Sequence, residues 1–395
     1  MRPKSNSVLQ NIVKCGNLFK KNVDSRKYST MHSVHEYIAP EWARQLKNIP
    51  KQKMQLANIP TPIHEWRLPG IPENFHVSIK RDDMTGSTLS GNKVRKLEFL
   101  MADCLTQGCK HVITCGGLQS NHCRAVATCA RELGLQPHLV LRTDIEDPSS
   151  VSCEGNLLLD RLCAAKIYLS PRHSPYLTHL KPRMDKLAEN IGAETGERCY
   201  KIPVGGSNSL GLWGYINMFS ELVTQGAVEQ FDDLIFATGS GSTAGGLAIG
   251  NYLTGSKLRI HGISVSDDAR YFHAHCQEML DAVGLHVRAE DILDVIDGHK
   301  GLGYGISTQE ELDYILSVAS STGIMLDPVY TGKAAIGLQR ELNNNPDMFK
   351  GNRILFVHTG GVFGLYDGRI NDTLKVKRSS TDQIFGWKNL EDFPS

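Results

Sequence analysis

The sequence predicts an α/β protein built from two domains with parallel sheets. Its 395 residues are more than one hydrophobic core usually organises. Short buried strands alternate with amphipathic helices from residue 93 to about residue 204, and a second series follows residue 204. This alternation is typical of parallel βα units. Polar, glycine-rich turns follow several of the strands, which is where open α/β sheets place their ligands.

Hydrophobic runs and the helical spacing of apolar residues predict the individual elements. The predicted strands are residues 77–80, 112–114, 138–141, 167–169, 234–238, 260–265 and 354–357. The predicted helices begin at Lys93 and continue with residues 125–133, 156–162, 186–191, 244–253, 269–283, 309–322 and 333–342.

Composition excludes several classes of function. The chain has 41% hydrophobic and 22% charged residues, and its net charge of +1 gives no electrostatic reason to expect a nucleic acid or membrane partner. No apolar run approaches the about 20 residues of a membrane span. Ten scattered cysteines form no C-x-x-C pair, which favours a reducing compartment over a disulfide framework. The histidines form no H-E-x-x-H motif, and no metal site is predicted.

Residues 1–30 differ from the rest of the chain. They contain seven basic residues, one acidic residue, Asp24, and several serines and asparagines. This composition resembles a mitochondrial transit peptide, and residues 26–29 resemble a matrix-protease cleavage site. We therefore expect residues 1–29 to be a transit peptide and the protein to be mitochondrial. The alternative is a disordered basic tail on a cytoplasmic protein.

The turn at residues 90–93 leads directly into a helix that begins with a lysine. Asn92 is the predicted N-cap, since its side chain can accept a hydrogen bond from a free backbone N–H group. Lys93 then lies at the positive end of the helix dipole, where an ammonium group is disfavoured. A disfavoured ammonium has a lowered pKa, and its amine can act as a nucleophile. The alternative is a solvated surface lysine.

A second turn, at residues 238–243, joins a strand to a helix and is rich in glycine and hydroxyl groups. Its backbone N–H groups and the helix N-terminus can hold a phosphate. It lacks the lysine of a Walker A loop and the G-x-G-x-x-G spacing, so we expect a phosphate monoester. The alternative is a tight structural turn. The residues expected to bind the phosphate are Gly239, Ser240, Gly241, Ser242 and Thr243.

Polar residues also lie beside two other elements, after a strand in one case and before a helix in the other. Ser120 and Asn121 come after the strand at 112–114 and can donate to an anion or a phenolate oxygen. Tyr330 and Thr331 precede a helix and offer a phenol beside a hydroxyl. A simple helix start is the alternative at both places. Together with a nucleophilic Lys93 and a monophosphate site, these groups fit one cofactor, pyridoxal 5′-phosphate.

The combination of motifs closely resembles the D-cysteine desulfhydrase/1-aminocyclopropane-1-carboxylate deaminase family of tryptophan-synthase-β-like, fold type II pyridoxal-phosphate enzymes. Residues 90–99, 116–122, 238–243, 327–334 and 356–361 carry the resemblance, which runs from about residue 59 to 365. It implies two open twisted parallel-sheet domains, the smaller inserted in the larger. The large domain would comprise residues 30–95 and 205–395, and the small domain residues 96–204. It also implies a homodimer.

The resemblance implies a role for each matching residue. Lys93 would hold the cofactor as a Schiff base and later move the Cα proton. Asn121 would contact the ring 3′-oxygen, and residues 239–243 would hold the phosphate. Ser120 would bind the substrate carboxylate, and Tyr304 and Tyr330 would face the substrate.

Two positions distinguish the activities within this family. The ring-opening deaminases carry Glu where this chain has Thr331 and Leu where it has Thr359, whereas the D-cysteine desulfhydrases carry a hydroxyl residue at the first position and Thr at the second. A neutral threonine beside the pyridine nitrogen favours its protonation less than a carboxylate does, so the ring withdraws fewer electrons. Loss of a thiolate needs less stored charge than opening an unactivated ring.

The resemblance therefore implies α,β-elimination of D-cysteine to hydrogen sulfide, ammonia and pyruvate. The alternatives are β-elimination of β-chloro-D-alanine, D-serine or cysteate, and ring-opening deamination. A non-catalytic pyridoxal-phosphate carrier or sensor would not need Ser120, Tyr304 and Tyr330 together. A nucleotide-binding Rossmann protein does not match the spacing of the glycines.

Overall fold

The computed structural model describes residues 32–376 and contains three sheets. The strands are β1 (Val34–Glu36), β2 (Gln52–Met54), β3 (Ile63–Glu65), β4 (His76–Lys80), β5 (His111–Gly117), β6 (Gln136–Thr143), β7 (Lys166–Pro171), β8 (Cys199–Lys201), β9 (Asp233–Thr238), β10 (Arg259–Ser264), β11 (Asp294–Ile296) and β12 (Arg353–Val357). The α-helices are α1 (Lys93–Thr106), α2 (Asn121–Glu132), α3 (Gly155–Leu162), α4 (Lys181–Thr195), α5 (Trp213–Thr224), α6 (Ala227–Gln230), α7 (Ser242–Leu253), α8 (Ala269–Ala282), α9 (Ala289–Ile292), α10 (Gln309–Thr322), α11 (Thr331–Asn344) and α12 (Arg369–Val376).

The two main sheets are almost entirely parallel. The six-stranded sheet has the order β11-β10-β9-β12-β4-β3, and only β3 is antiparallel to its neighbour. The four-stranded sheet, β7-β6-β5-β8, is parallel throughout. In the chain it falls between β4 and β9 of the larger sheet, which agrees with an α/β fold whose smaller part is inserted in the larger. The expected domain boundaries themselves stay a prediction, and the expected transit peptide lies outside the described residues.

Every predicted strand and helix corresponds to an observed element. The short strands β1, β2, β3, β8 and β11 were not predicted, because three-residue pairings leave little trace in a hydrophobic pattern. The short helices α6, α9 and α12 were also missed, and so was the longer helix α5. It is apolar on most sides, with Trp213, Ile216 and Phe219 buried, so it lacks the polar face that identifies a surface helix.

Both faces of the six-stranded sheet are covered. Along β12, Leu355 and Val357 join one hydrophobic cluster, which includes residues of α5 and α7. Ile354 and Phe356 join another cluster, with residues of α10 and α11. This alternation with a period of two is what a strand between two helical layers requires. The helical layers leave the carboxyl ends of the strands open, and the loops there can build a site.

A buried ionic network fixes the start of α1 against the large sheet. Arg95 pairs with Asp82 at 2.8 Å and with Glu221 at 3.0 Å. Glu221 also pairs with Lys80, and the Tyr215 hydroxyl donates to Asp82 at 2.9 Å. The charges therefore compensate one another away from water, as buried ions require. The network joins β4, α1 and α5 directly behind Lys93.

Candidate active site

A pocket opens at the carboxyl ends of β9 and β12, beside the first turn of α1. The space between its walls is about 360 Å³, including the part open to solvent. Eight of the predicted site residues line it: Lys93, Asn121, Gly239, Ser240, Gly241, Thr243, Tyr330 and Thr359. These residues come from five separate parts of the chain, so the fold gathers the expected site into one place.

The turn before Lys93 is held by the end of β12. The Asn92 backbone N–H donates to the Thr359 carbonyl at 3.0 Å. Gly91 has φ +100°, and a Cβ there would lie 2.9 Å from the same carbonyl oxygen, so only glycine fits. The expected Asn92 side-chain cap is wrong, because this side chain makes no capping hydrogen bond and donates instead to the Thr243 hydroxyl at 3.2 Å. Asn92 thus links the lysine turn to the glycine-rich turn.

Lys93 is the first residue of α1, as predicted, and only 7% of it is exposed. The alternative of a solvated surface lysine is therefore wrong. Burial lowers the pKa of its amine to about 8, while a hydrogen bond with Lys96 acts in the opposite direction. Desolvation, rather than the helix dipole that we invoked from the sequence, is the main cause. A substantial fraction of neutral, nucleophilic amine is therefore present near neutral pH.

Two further buried bases stand beside Lys93. Lys96 Nζ donates to the Gly205 carbonyl at 3.2 Å, and His122 Nε2 is 2.9 Å from the Thr114 hydroxyl. Burial, followed by the charge of Lys93, holds the pKa of each well below its usual value. Three basic groups without a carboxylate partner repel one another when protonated. An anionic ligand would relieve that repulsion.

The glycine-rich turn has the space and the donors that a phosphate needs. A Cβ at Gly239 would lie 2.9 Å from Cε1 of Tyr330, and one at Gly241, whose φ is +92°, would lie 2.7 Å from Cδ2 of His275. Gly241 has no side chain that could cap α7, although the Ser242 backbone N–H donates to the Ser207 hydroxyl at 3.3 Å. The buried Thr238 hydroxyl, which lines the pocket, has no partner among the described residues. These unpaired groups fit a phosphate monoester.

One residue of the predicted phosphate site faces elsewhere. Ser242 does not line the pocket, because its hydroxyl accepts a hydrogen bond from Ser207 at 3.0 Å. The Ser240 hydroxyl lies 2.9 Å from the Ser207 hydroxyl, and because a hydroxyl has one hydrogen, Ser207 accepts from Ser240 when it donates to Ser242. The sequence analysis did not single out Ser207, although it directly follows the glycine pair at 205–206. It joins the segment after β8 to the phosphate turn.

The amide of Asn121 has a fixed direction. Asn156 Nδ2 donates to Asn121 Oδ1 at 2.9 Å, and Asn156 Oδ1 accepts from Arg124 Nε at 3.3 Å. The oxygen of Asn121 is thereby occupied, which leaves its N–H groups available to the pocket. A donor at this place suits the contact with a ring oxygen that the family resemblance implies. Asn156 was missed, since it lies 35 residues further along the chain.

Ser120 begins α2 as a helix cap. Its hydroxyl accepts from the Cys123 backbone N–H at 3.2 Å, which is the structural alternative that we gave for this residue. It is buried and does not line the cofactor pocket. Its role toward a substrate carboxylate stays a prediction.

A larger cavity of about 1760 Å³, on the same measure, adjoins the pocket. Gly117, Arg142 and Tyr304 are among its walls. The Tyr304 and Tyr330 hydroxyls lie 2.6 Å apart, so the two phenols form the boundary between the cavity and the cofactor pocket. Their role toward the substrate stays a prediction.

The two discriminating threonines differ in their surroundings. Thr359 lines the pocket, whereas Thr331 does not. The Thr331 hydroxyl donates to Asp327 Oδ1 at 2.7 Å, and Asp327 Oδ2 accepts from the Val329 and Tyr330 backbone N–H groups at 3.0 Å each. Asp327, which the sequence analysis did not single out, therefore shapes the turn that presents Tyr330. A role for Thr331 beside a ring nitrogen stays a prediction.

The protein family described as "pyridoxal-phosphate dependent enzyme" matches residues 54–360 of this chain. The chain belongs to that family. This enzyme is 47% identical over 339 residues to the mitochondrial bifunctional D-cysteine desulfhydrase/1-aminocyclopropane-1-carboxylate deaminase of Arabidopsis thaliana, across 84% of this chain and 83% of the relative. It is 37% identical over 327 residues to the D-cysteine desulfhydrase of Klebsiella pneumoniae strain 342, across 80% and 95% of the two chains.

A solved structure supports the same assignment. The crystal structure of an ACC deaminase homologue matches this enzyme with a TM-score of 0.72 and 32% identity, and the match covers 86% of this chain and all of that one. The fold class, the pyridoxal-phosphate cofactor and the expectation of an enzyme are confirmed.

The described residues contain no group of three or more His, Cys, Asp or Glu side chains that could hold a metal ion. Nor does any helix within residues 32–376 have the length and apolar character needed to cross a membrane.

Proposed function

We propose that this pyridoxal-phosphate enzyme is a D-cysteine desulfhydrase. The overall reaction converts D-cysteine and water to hydrogen sulfide, ammonia and pyruvate. The preference for the D-isomer rests on the family resemblance and on the names of the relatives. The observation that carries the choice of reaction is that none of the described residues lining the cofactor pocket has a carboxylate side chain.

A cofactor pocket without a carboxylate favours the loss of a good leaving group from the substrate. The bound cofactor supplies an electron sink for the carbanion at the substrate Cα. Thr359 lines the pocket with a hydroxyl, which stabilises a protonated ring nitrogen less than a carboxylate would. The cofactor would then be a weaker electron sink, which would favour expulsion of thiolate from Cβ over the opening of an unactivated ring.

The side chains of this chain have distinct tasks in that reaction. The neutral Lys93 amine accepts the proton from Cα, and its lowered pKa makes that form available near neutral pH. The paired Tyr304 and Tyr330 hydroxyls lie at the substrate boundary and can hold a proton near the departing sulfur. Asn121 would present N–H donors to the cofactor ring, and the pocket-lining residues Gly239, Ser240, Gly241 and Thr243 would hold the phosphate.

Ring-opening deamination is the second candidate, because the name of the Arabidopsis relative includes both activities. The decisive experiment measures sulfide and pyruvate from D-cysteine and L-cysteine, and 2-oxobutanoate from 1-aminocyclopropane-1-carboxylate. We expect sulfide from D-cysteine and little ring opening. Lys93→Ala should remove turnover, while the exposed Lys186→Ala serves as the matched control. Ring opening as fast as sulfide release would contradict the desulfhydrase assignment.

We further propose a mitochondrial homodimer that acts on a small amino acid. The basic, acid-poor residues 1–29 and the name of the Arabidopsis relative support the location. The dimer rests on the family resemblance alone. A carboxyl-terminal fluorescent fusion should enter mitochondria and lose its first residues, and sedimentation of the mature protein should give twice the monomer mass. An intact cytosolic fusion, or a monomer, would contradict the corresponding part.

A further inference from the structure

The segment that carries Tyr304 has little intrinsic restraint. Gly298, Gly301, Gly303 and Gly305 have φ values of +92°, +59°, +125° and +75°, so the backbone turns repeatedly through conformations that only glycine adopts easily. Glycine also loses the most conformational freedom on ordering. Two backbone hydrogen bonds lie within the segment, from Gly303 N–H to the Lys300 carbonyl and from Ile306 N–H to the Gly303 carbonyl. Something else must hold Tyr304 against Tyr330.

The Arg369 guanidinium donates to the Gly305 carbonyl at 3.0 Å, and one buried ammonium group supplies three further hydrogen bonds to the segment. Lys333 is 0% exposed, and its Nζ donates to the carbonyls of Lys300 at 2.6 Å, Gly303 at 2.9 Å and Ile306 at 2.7 Å. An ammonium has three N–H donors, and all three are used. The Glu311 carboxylate, 3.9 Å away, compensates part of the charge. Charge-assisted bonds of this kind are stronger than bonds between neutral groups.

We propose that Lys333 is a positioning residue that sets the Tyr304 hydroxyl in place at the substrate boundary. Both tyrosines are connected to it. Tyr330 immediately precedes α11, Lys333 lies in the first turn of that helix, and its ammonium clasps the segment on either side of Tyr304. The three carbonyls surround the nitrogen much as they would surround a bound monovalent cation. This role rests on the proposed function, in which the two phenols face the substrate.

Removal of the ammonium should separate cofactor binding from turnover. Lys333 does not line the cofactor pocket, so Lys333→Ala should keep the visible absorbance of the bound cofactor. Its kcat should fall at least tenfold, since misplacement of a reacting group by about 1 Å can cost about a hundredfold. Lys333→Ala leaves space for an ion, so ammonium chloride or potassium chloride should restore at least a third of the lost kcat. Tetramethylammonium chloride at equal ionic strength should not restore kcat. Ammonium chloride and potassium chloride should not rescue Lys333→Met, because the methionine side chain fills the space.

A double-mutant cycle tests the connection to Tyr304. Tyr304→Phe should lower kcat in the parent but have less than half of that logarithmic effect in Lys333→Ala, because the hydroxyl is already misplaced there. Additive losses would overturn the proposal, since they would mean that Lys333 acts through general stability. An unchanged kcat in folded Lys333→Ala or Lys333→Met would overturn it as well.

A second variant keeps the test decisive if both Lys333 variants fail to fold. Gly303→Ala strains the backbone at one of the three clasped carbonyls, and the added Cβ meets no atom within 4 Å. It should lower kcat at least fivefold with the cofactor still bound. Gly255→Ala is the matched control, because Gly255 also has a positive φ, of +100°, and open space, but lies in a different turn. Equal activity of the two variants would overturn the proposal.

Failure of the proposed function can be recognised separately. If the parent releases no sulfide from D-cysteine, the change that D-alanine causes in the visible absorbance of the holoenzyme still reports amino-acid binding. A weaker D-alanine response in Gly303→Ala than in Gly255→Ala would then support the role of Lys333, and equal responses would count against it.

Discussion

The depressed pKa of the Lys93 amine leads to a quantitative prediction about cofactor loading. Burial lowers this pKa from 10.5 to about 8. At about pH 7.5, a pKa of about 8 leaves roughly a quarter of the amines neutral, whereas an ordinary lysine has about 0.1% in that form. The apoprotein should therefore attach pyridoxal phosphate roughly two hundred times faster per lysine than an exposed amine of equal reactivity would.

The assay follows visible absorbance after apoprotein is mixed with pyridoxal phosphate across a range of pH. The loading rate should rise about tenfold per pH unit up to about pH 8 and then level off. Nα-acetyl-lysine in the same buffers is the control. The titration of the aldehyde reagent cancels when the protein rate is divided by the control rate, and this quotient should be constant below about pH 8 and fall about tenfold per pH unit above it. Lys93→Ala should give no borohydride-stable attachment at this position.

One substitution should move the plateau in a defined direction. The hydrogen bond with Lys96 raises the pKa of Lys93, so Lys96→Met should lower it further and bring the plateau to a lower pH. A loading rate that still rises tenfold between about pH 8.5 and about pH 9.5 would refute a pKa of about 8. A plateau that moves to higher pH in Lys96→Met would refute the assigned direction.

Three other predictions concern stability and specificity. Burial alone would raise the pKa of Glu221, but Arg95 and Lys80 lower it to about 2, so its charge contributes about 3 kcal/mol above its unfolded pKa of 4.5. Glu221→Gln should lower the urea-derived free energy of unfolding by about that amount at neutral pH, and the difference should shrink as the pH falls from about 4.5 toward 2. Gly214→Ala, whose Cβ would lie 2.5 Å from the Arg95 carbonyl oxygen in α1, should cost about 2 kcal/mol in the same assay. Thr331→Glu combined with Thr359→Leu should raise 2-oxobutanoate production, and thermal unfolding should detect a loss of stability because the new carboxylate meets buried Asp327.

Local patterns were sufficient to predict the main strands. Residues 234–238 and 354–357 are apolar runs that end in polar, glycine-rich turns, and both are strands of the large sheet. The burial of Lys93 could not be predicted from its neighbours. Residues 93, 95 and 96 are all basic, which suggests a surface, yet Arg95 is neutralised by Asp82 and by Glu221, which lies 126 residues away.

The same limit applies to the site. Most of the lining residues, such as Asn121, Gly239 and Thr359, follow the carboxyl ends of strands, so the sequence could place them on one side of a sheet. The residues that orient them are distant in the chain and have no motif. Ser207 lies 33 residues before Ser240, and Asn156 lies 35 residues after Asn121. Asn92 was assigned the right location but the wrong partner, because a tertiary contact with Thr243 replaces the local cap.

The hydrogen bonds that join Arg124, Asn156 and Asn121 beside the cofactor pocket all donate in the same direction. Arg124, whose guanidinium can only donate, gives a hydrogen bond to the oxygen of Asn156, which gives one to the oxygen of Asn121. Each amide must therefore present its nitrogen to the next group, and the row ends with N–H groups at the pocket. An oxygen at that place is stabilised as an acceptor, and a protonated oxygen would meet a donor instead. The buried Arg124 cation therefore acts through Asn156 and Asn121. It determines which protonation form of a ligand oxygen the pocket prefers.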